Sequence, residues 1–222
     1  MITTEALHFI SDLKANNNTE WMHANKKRYE VYKKDYHNFI AAILLEMKAL
    51  DKALEPLEVK NCTFRINRDI RFSKDKTPYK THISVWFSTN KSIKNAPGYY
   101  LHLDDNESFA AGGMYCPEPA ELKKIRKEIA FFYEDLNTVL EDKIFKKEFK
   151  NLSQADALKR PPKDFDTNHP AIELLKLKSF TASVKVEKTD CLNANFAKII
   201  SQKLILLQPL NQFLNRALET EE

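Results

Sequence analysis

Apolar residues recur every three or four positions near the N-terminus, a spacing that predicts amphipathic helices. The first stripe consists of Ala6, Phe9, Ile10 and Leu13. Thr3 or Thr4 can cap this helix, and the asparagine run 16–18 interrupts the pattern. A longer helix is predicted from near Thr19 until Pro56 ends the region. Its stripe consists of Tyr29, Tyr32, Tyr36, Phe39, Ile40, Ile43, Met47 and Leu50. We interpret these tyrosines as core residues, with a ligand-stacking ladder as the alternative.

The middle of the chain has the composition of short β-strands. Four segments are rich in β-branched and aromatic residues and are bounded by turn residues, namely 63–72, 81–88, 98–104 and 107–112. The residues at 104–106, Asp-Asp-Asn, predict a hairpin turn between the last two. Because the links are short, the pattern favours an antiparallel sheet.

Helical spacing returns at Pro119 and continues without a break to Leu140. Further along, the pattern predicts short helices near 145–149 and 170–175 and a late strand over 179–186. Asp190 is a candidate cap for a final helix that Pro209 kinks or restarts. The fold class we predict is α+β. A central, mostly antiparallel sheet is flanked by N-terminal, middle and C-terminal helices, and residues 1–222 form a single domain.

Composition excludes several classes of protein. The 222 residues are 43% hydrophobic, which is enough for a substantial core, and three glycines leave no glycine-rich phosphate loop. No run of about 18 or more apolar residues occurs, so we expect no membrane association. The N-terminus does not have the pattern of a secretion signal. Cys62, Cys116 and Cys191 are odd in number and widely spaced, which predicts three reduced, mostly buried thiols and a cytoplasmic protein.

The net charge of +4 is concentrated in residues 60–82. That segment has seven Lys and Arg residues against Asp69 and Asp75, so it carries +5 and the rest of the chain is close to neutral. A local excess of this kind favours an anion site over a basic coat for nucleic acid. The candidate ligand-binding residues are Arg65, Arg68, Arg71, Lys74, Lys76, Tyr79 and Lys80.

Arg68 interrupts an otherwise apolar face if residues 63–72 form a strand. That face carries Phe64, Ile66, Ile70 and Phe72. A buried guanidinium needs a partner, because desolvating a lone charge is costly. The alternatives are an internal carboxylate, an anion in a bordering cleft, or a bulge that rotates Arg68 outward.

Several motifs together resemble a family known as domain of unknown function 2461, which occurs mostly in bacteria and some fungi. The central motif is FRINRDIRFSKDKTPYKT at 64–81. It is accompanied by NNTEW at 17–21, GYYLH at 98–102 and GGMY at 112–115. The resemblance spans most of the chain. It implies one domain and no particular activity or catalytic residue.

We therefore predict binding of a small ligand that bears a phosphate or carboxylate group. As an enzyme, the protein would be a hydrolase or transferase, with Asp69, Asp75, His82 and His102 as acid–base candidates. The alternatives are a nucleic-acid-binding module and a non-catalytic scaffold or protein-interaction protein. His102 and Asp104 offer two metal ligands on one strand face, but no third is evident, so we predict no metal site and no cofactor. We interpret Gly112 and Gly113 as a tight turn.

Overall fold

The computed structural model describes residues 1–90 and 92–219. Its strands are β1 (Ile83–Phe87), β2 (Gly98–Leu103), β3 (Phe109–Met114) and β4 (Phe180–Lys185). They form an antiparallel open sheet in the order β1-β2-β3-β4, with helices before, between and after the strands along the chain. The predicted α+β class is confirmed, and these four strands were all predicted, with ends that differ by at most two residues.

The chain divides into two compact units by its internal contacts. The first comprises Met1–Phe87, Tyr100–Phe109 and Lys185–Gln202, and the second comprises Ser88–Tyr99, Ala110–Val184 and the segment from Lys203. Each unit is therefore assembled from three stretches of sequence. The single domain over 1–222 stays a prediction.

Three helices open the first unit, namely α1 (Thr4–Ala15), α2 (Thr19–Ala24) and α3 (Lys26–Leu50). Thr3 caps α1 by accepting from the Ala6 N–H at 3.1 Å, as predicted. The single long helix predicted from Thr19 is wrong, because the chain breaks at Asn25. There the Asn25 side chain donates to the Trp21 carbonyl at 3.0 Å, and a side chain that bonds nearby backbone competes with helix continuation.

The predicted strand over 63–72 is wrong. After the short helix α4 (Val59–Cys62), the chain forms an irregular arm, residues 63–82, which we call the basic arm. Two isolated bridges hold it, Thr63 with Val85 and Asn67 with Tyr79. Beyond the second bridge, the Arg68 N–H donates to the Pro78 carbonyl at 2.9 Å. Residues 69–76 form the tip of this arm, where side chains bond to one another and to local backbone instead of forming a ladder.

The turn between β2 and β3 is confirmed. Asp104 Oδ1 accepts from the Asn106 N–H at 2.9 Å, and the Ser108 hydroxyl bonds both the N–H and the carbonyl of Asp104, at 2.9 and 2.8 Å. These side-chain bonds replace ladder bonds where the chain reverses. Asp104 is thus held at the end of β2.

Glycine has a packing role in β3. Gly112 and Gly113 lie inside this strand, so the tight turn predicted for them is wrong. Gly113 has a φ of 110°, and a Cβ there would lie 1.9 Å from the Phe180 carbonyl oxygen. Gly113 therefore reflects close backbone packing against β4, whereas a Cβ at Gly112 would lie 2.9 Å from the Leu207 side chain.

The later helices are α5 (Pro119–Phe131), α6 (Tyr133–Glu141), α7 (Lys143–Phe149), α8 (Ile172–Leu175), α9 (Phe196–Leu204) and α10 (Gln208–Glu219). The unbroken helix from Pro119 to Leu140 is wrong, because it ends at Phe132 and restarts. Asp190 does not cap a helix: residues 188–192 form a 3-10 turn, and α9 begins only at Phe196. The restart at Pro209 is confirmed, since Pro209 lies in the first turn of α10.

The three described cysteines form no disulfide. Cys62 and Cys191 are buried, as predicted, whereas Cys116 is exposed. Within residues 1–90 and 92–219, no helix has both the length and the apolar content needed to cross a membrane.

Candidate functional site

An open cleft of about 310 Å³ lies in the first unit, between α3, the start of the basic arm and the residues that lead into β1. Helix α3 contributes five of its lining side chains, and the remainder come from 63–67 and 80–84. Arg65 and Lys80 are the two predicted ligand-binding residues that line it, together with the acid–base candidate His82. We refer to this feature as the cleft.

The charged side chains around the cleft are all basic. Lys33, Arg65 and Lys80 line it, and among the described residues no Asp or Glu does. The Lys80 ammonium lies 4.9 Å from the centre of the Phe64 ring, a cation–π contact. Burial lowers the pKa of Lys80, and the charge of Arg65 lowers it further. The partly buried Lys80 therefore lies near a like charge, that of the exposed Arg65.

Tyr36 joins the elements that form the cleft. Its hydroxyl donates to the Ser84 carbonyl at 2.6 Å and accepts from the Phe64 N–H at 3.1 Å. Burial raises its pKa to about 12, so the hydroxyl keeps its proton at neutral pH. Tyr32 and Tyr36 stack 6.0 Å apart and are buried. They are core residues, as predicted, whose edges reach the cleft wall.

The tip of the basic arm uses most of its cations internally. Arg71 forms two bonds to Asp69, at 2.9 and 2.6 Å. These bonds, with a small contribution from Arg65, lower the pKa of the exposed Asp69 carboxyl to about 2. Lys76 donates to the Ile70 carbonyl at 2.9 Å. Three predicted site residues thus stabilise the tip rather than line the cleft.

Arg68 has its partners within the same arm. Its Nη1 donates to Asp75 Oδ2 at 2.6 Å and to the Thr77 carbonyl at 3.0 Å, and it also contacts the Thr77 hydroxyl. The side chain is 27% exposed and that of Asp75 is 59% exposed. Of the three alternatives for Arg68, the structure therefore shows the internal carboxylate. Arg68 forms an ion pair with Asp75 in which both side chains are partly exposed to solvent. Asp75 and Asp69 lie in ion pairs at the tip and do not line the cleft.

The remaining predicted residues have different positions. Tyr79 is buried, and the Asn17 side chain bonds both its N–H and its carbonyl, at 3.0 and 2.9 Å. Lys74 is exposed at the tip.

Lys33 also lines the cleft but was missed by sequence reasoning. Its position four residues after Tyr29 and three before Tyr36 places it on the tyrosine face of α3, which is a signal that the sequence contains.

Two histidines meet at the edge of the cleft. The ring centres of His82 and His102 are 4.5 Å apart, and the pair is half-buried. Burial, followed by the charge of His102, lowers the pKa of His82 to about 4. Asp104 lies beside them, and one ligand atom from each of the three residues falls within 4.8 Å of the others. The second predicted histidine, His102, is therefore linked to the cleft through His82.

Comparison with known proteins identifies a family. The family model described as "Conserved hypothetical protein (DUF2461)" matches residues 5–213, nearly the whole chain. No curated protein and no solved structure matches the chain.

Proposed function

The chain belongs to the DUF2461 family of conserved hypothetical proteins, and we propose that its cleft binds a small ligand bearing a phosphate or carboxylate group. The observation that carries this proposal is that two cationic side chains, those of Arg65 and Lys80, line a cleft that no described carboxylate lines. Neither side chain forms an ion pair with a described residue.

A bound anion would relieve an existing electrostatic cost. Lys80 loses hydration on burial and is repelled by Arg65, and both effects oppose its charged form. An anion between them reverses the sign of the nearest charge and favours the ammonium. Arginine can bind an oxyanion through two parallel bonds, while lysine supplies a point charge.

The size of the cleft indicates a small ligand. Its volume of about 310 Å³ lies at the lower end of the range for ligand pockets. Tyr32, Tyr36 and Phe64 give one side an aromatic surface, which suits a ring or sugar attached to the anionic group. Because Arg68, Arg71 and Lys76 already have partners, the basic arm offers nucleic acid fewer unpaired cations than the sequence suggests.

The position of His82 favours chemistry at the cleft over chemistry at the tip. Of the four acid–base candidates, His82 lines the cleft and His102 lies behind it, whereas Asp69 and Asp75 are bound to arginines. With a pKa of about 4, the free His82 imidazole is neutral and only weakly basic. An anion bound beside it would favour the imidazolium and raise this pKa toward the range in which a general base works. We propose hydrolysis or group transfer at the bound anion as the class of reaction to assay.

A thermal-shift panel tests the proposal. Its ligands are phosphate, nucleotides, sugar phosphates, dicarboxylates and short nucleic acids, each at low and high salt. A ligand at 100 times its dissociation constant stabilises by about 2.7 kcal/mol. For this chain length we expect a rise in Tm of about 5–10 °C.

Two variants make the result specific. We expect the shift to disappear in Arg65→Ala and to persist in Arg71→Ala, which removes an exposed arginine at the tip. A flat panel, or equal loss in both variants, would contradict the cleft as an anion site. A shift confined to nucleic acid and lost steeply with salt would instead indicate a nucleic-acid-binding module.

A further inference from the structure

We propose that His82, His102 and Asp104 form a binding site for a divalent transition-metal ion such as Zn²⁺. Their ligand atoms already lie within 4.8 Å of one another. Two ligands of a tetrahedral zinc ion lie about 3.4 Å apart, given metal–ligand distances of about 2.1 Å. Movement of each ligand atom by about 1 Å would therefore bring the three atoms onto one ion.

The sheet explains why these residues converge. His102 and Asp104 are two residues apart at the end of β2, so they lie on the same face. His82 directly precedes β1, which pairs with β2. The segment that leads into the neighbouring strand β1 thus supplies the third ligand, which the spacing of His102 and Asp104 alone does not reveal.

The ligand atoms remain available for coordination. His82 forms no hydrogen bond with any described residue, although it is half-buried. Asp104 is held by the Asn106 N–H at Oδ1, and in the described chain its Oδ2 has no hydrogen-bond donor. The Asp104 carboxylate is 15% exposed, and its nearest cation, Lys14, is 3.8 Å away and is shared with Asp105. The half-buried imidazole of His82 and the Oδ2 atom of Asp104, neither of which has a hydrogen-bond partner among the described residues, can therefore both coordinate a cation.

Supporting residues orient His102. The Tyr100 hydroxyl lies 3.1 Å from His102 Nδ1, which fixes the ring and leaves its other nitrogen for an ion. Phe109 stacks on the same ring with centres 5.1 Å apart. Hydrogen-bonded histidine ligands of this kind are typical of metal sites. Tyr100 is therefore a positioning residue in this proposal.

Two nitrogens and one carboxylate oxygen favour zinc or iron(II), and both leave coordination positions open. Because His82 also lines the cleft, an open position would be reached from it. The charges of Lys80 and Arg68, which also act on His82, repel a cation there, and the negative charge of Asp104 acts against that repulsion. The metal site does not depend on anion binding, so either can fail alone. A metal-bound His82 could not also accept a proton, so these two roles of His82 are alternatives.

Metal titration without any anionic ligand tests the site. Metal-stripped protein in a phosphate-free buffer is titrated with Zn²⁺ by calorimetry, and with Co²⁺ to record its visible d–d absorption. We expect one equivalent to bind, with the intense visible absorption of a four- or five-coordinate Co²⁺ ion. His82→Gln and Asp104→Asn should each weaken Zn²⁺ binding at least 10-fold, and Tyr100→Phe by about 10-fold.

The exposed His23 provides the matched control, because His23→Ala removes an imidazole elsewhere in the first unit. Circular dichroism of each variant without metal checks that it is folded. Asp104→Asn keeps the Oδ1 acceptor for Asn106, so its fold should persist even if a histidine variant is unstable. No stoichiometric binding, or binding that Asp104→Asn leaves unchanged, would overturn the proposal. Equal weakening in His23→Ala would also overturn it.

Discussion

The cations of the basic arm, apart from the exposed Lys74, separate into two kinds once their partners are known. Arg68, Arg71 and Lys76 bond to carboxylates or carbonyls within the arm, whereas Arg65 and Lys80 line the cleft. The sequence identifies the segment but does not separate the two kinds. The ion pair between Arg71 and Asp69 depends on how the tip folds. In the predicted strand, the two residues would have lain on one face but further apart along the chain direction.

The titration of Asp69 tests the internal pairing at the tip. Arg71 lowers the pKa of this carboxyl from its ordinary value of 3.8 to about 2. The folded state therefore binds its proton less readily than the unfolded state. The resulting stabilisation is present above pH 3.8 and is lost as the pH falls toward 2. Carbon-detected NMR of the side-chain carboxyls should show this low pKa, and Arg71→Ala should return it toward 3.8. An ordinary pKa in the unmodified protein would contradict the pairing.

Arg68→Ala measures how far Arg68 supports the fold. A fully buried ion pair costs about 3–5 kcal/mol when one partner is removed. Arg68 is 27% exposed and Asp75 59% exposed, so solvent screens this pair. We therefore expect a loss of about 1 kcal/mol in the free energy of unfolding, measured by urea denaturation. A loss of about 3 kcal/mol or more would support the scaffold alternative.

At the scale of elements, alternation predicted the sheet well and the basic arm badly. β1 to β4 are short runs with turn residues at both ends, and their inward side chains are buried. The arm has the same alternation, yet Phe72 is 95% exposed, so alternation there does not reflect burial. The helix break at Phe132 was missed because the three-to-four spacing of apolar residues continues across it. At Asn25 the side-chain bond to the Trp21 carbonyl, which the hydrophobic pattern does not reveal, marks the boundary.

Two phenylalanines distinguish the arm from the sheet. Phe87 in β1 is fully buried, and Phe87→Ala should lower the free energy of unfolding by about 3–5 kcal/mol. Phe72→Ala should change it by less than about 0.5 kcal/mol, because the ring is already in solvent. Denaturant unfolding of both variants checks the contrast. A large loss in Phe72→Ala would show that the tip packs against the protein in solution.

At the scale of the molecule, the cleft required tertiary structure to be seen. The sequence located Arg65, Lys80 and His82 within one segment, because charge excess is visible locally. It did not locate Lys33 or Ser84 beside them, since these come from α3 and β1. His82 and His102 were named separately, and strand pairing brings their rings to 4.5 Å. The fold class followed from periodicity, whereas the site depends on which elements meet.

The central claim is that the cleft, rather than the tip of the arm, binds the anion. The most direct measurement is an NMR titration of ¹⁵N-labelled protein with inorganic phosphate and, separately, with succinate. We predict that one of them shifts amide signals around Arg65, Asn67 and Lys80 while signals from 69–76 stay in place. We also predict at least about 10-fold weaker binding in Arg65→Ala, since a lost charged hydrogen bond costs about 1.5–3 kcal/mol. Shifts centred on 69–76, or no saturable shift with either anion, would contradict the account.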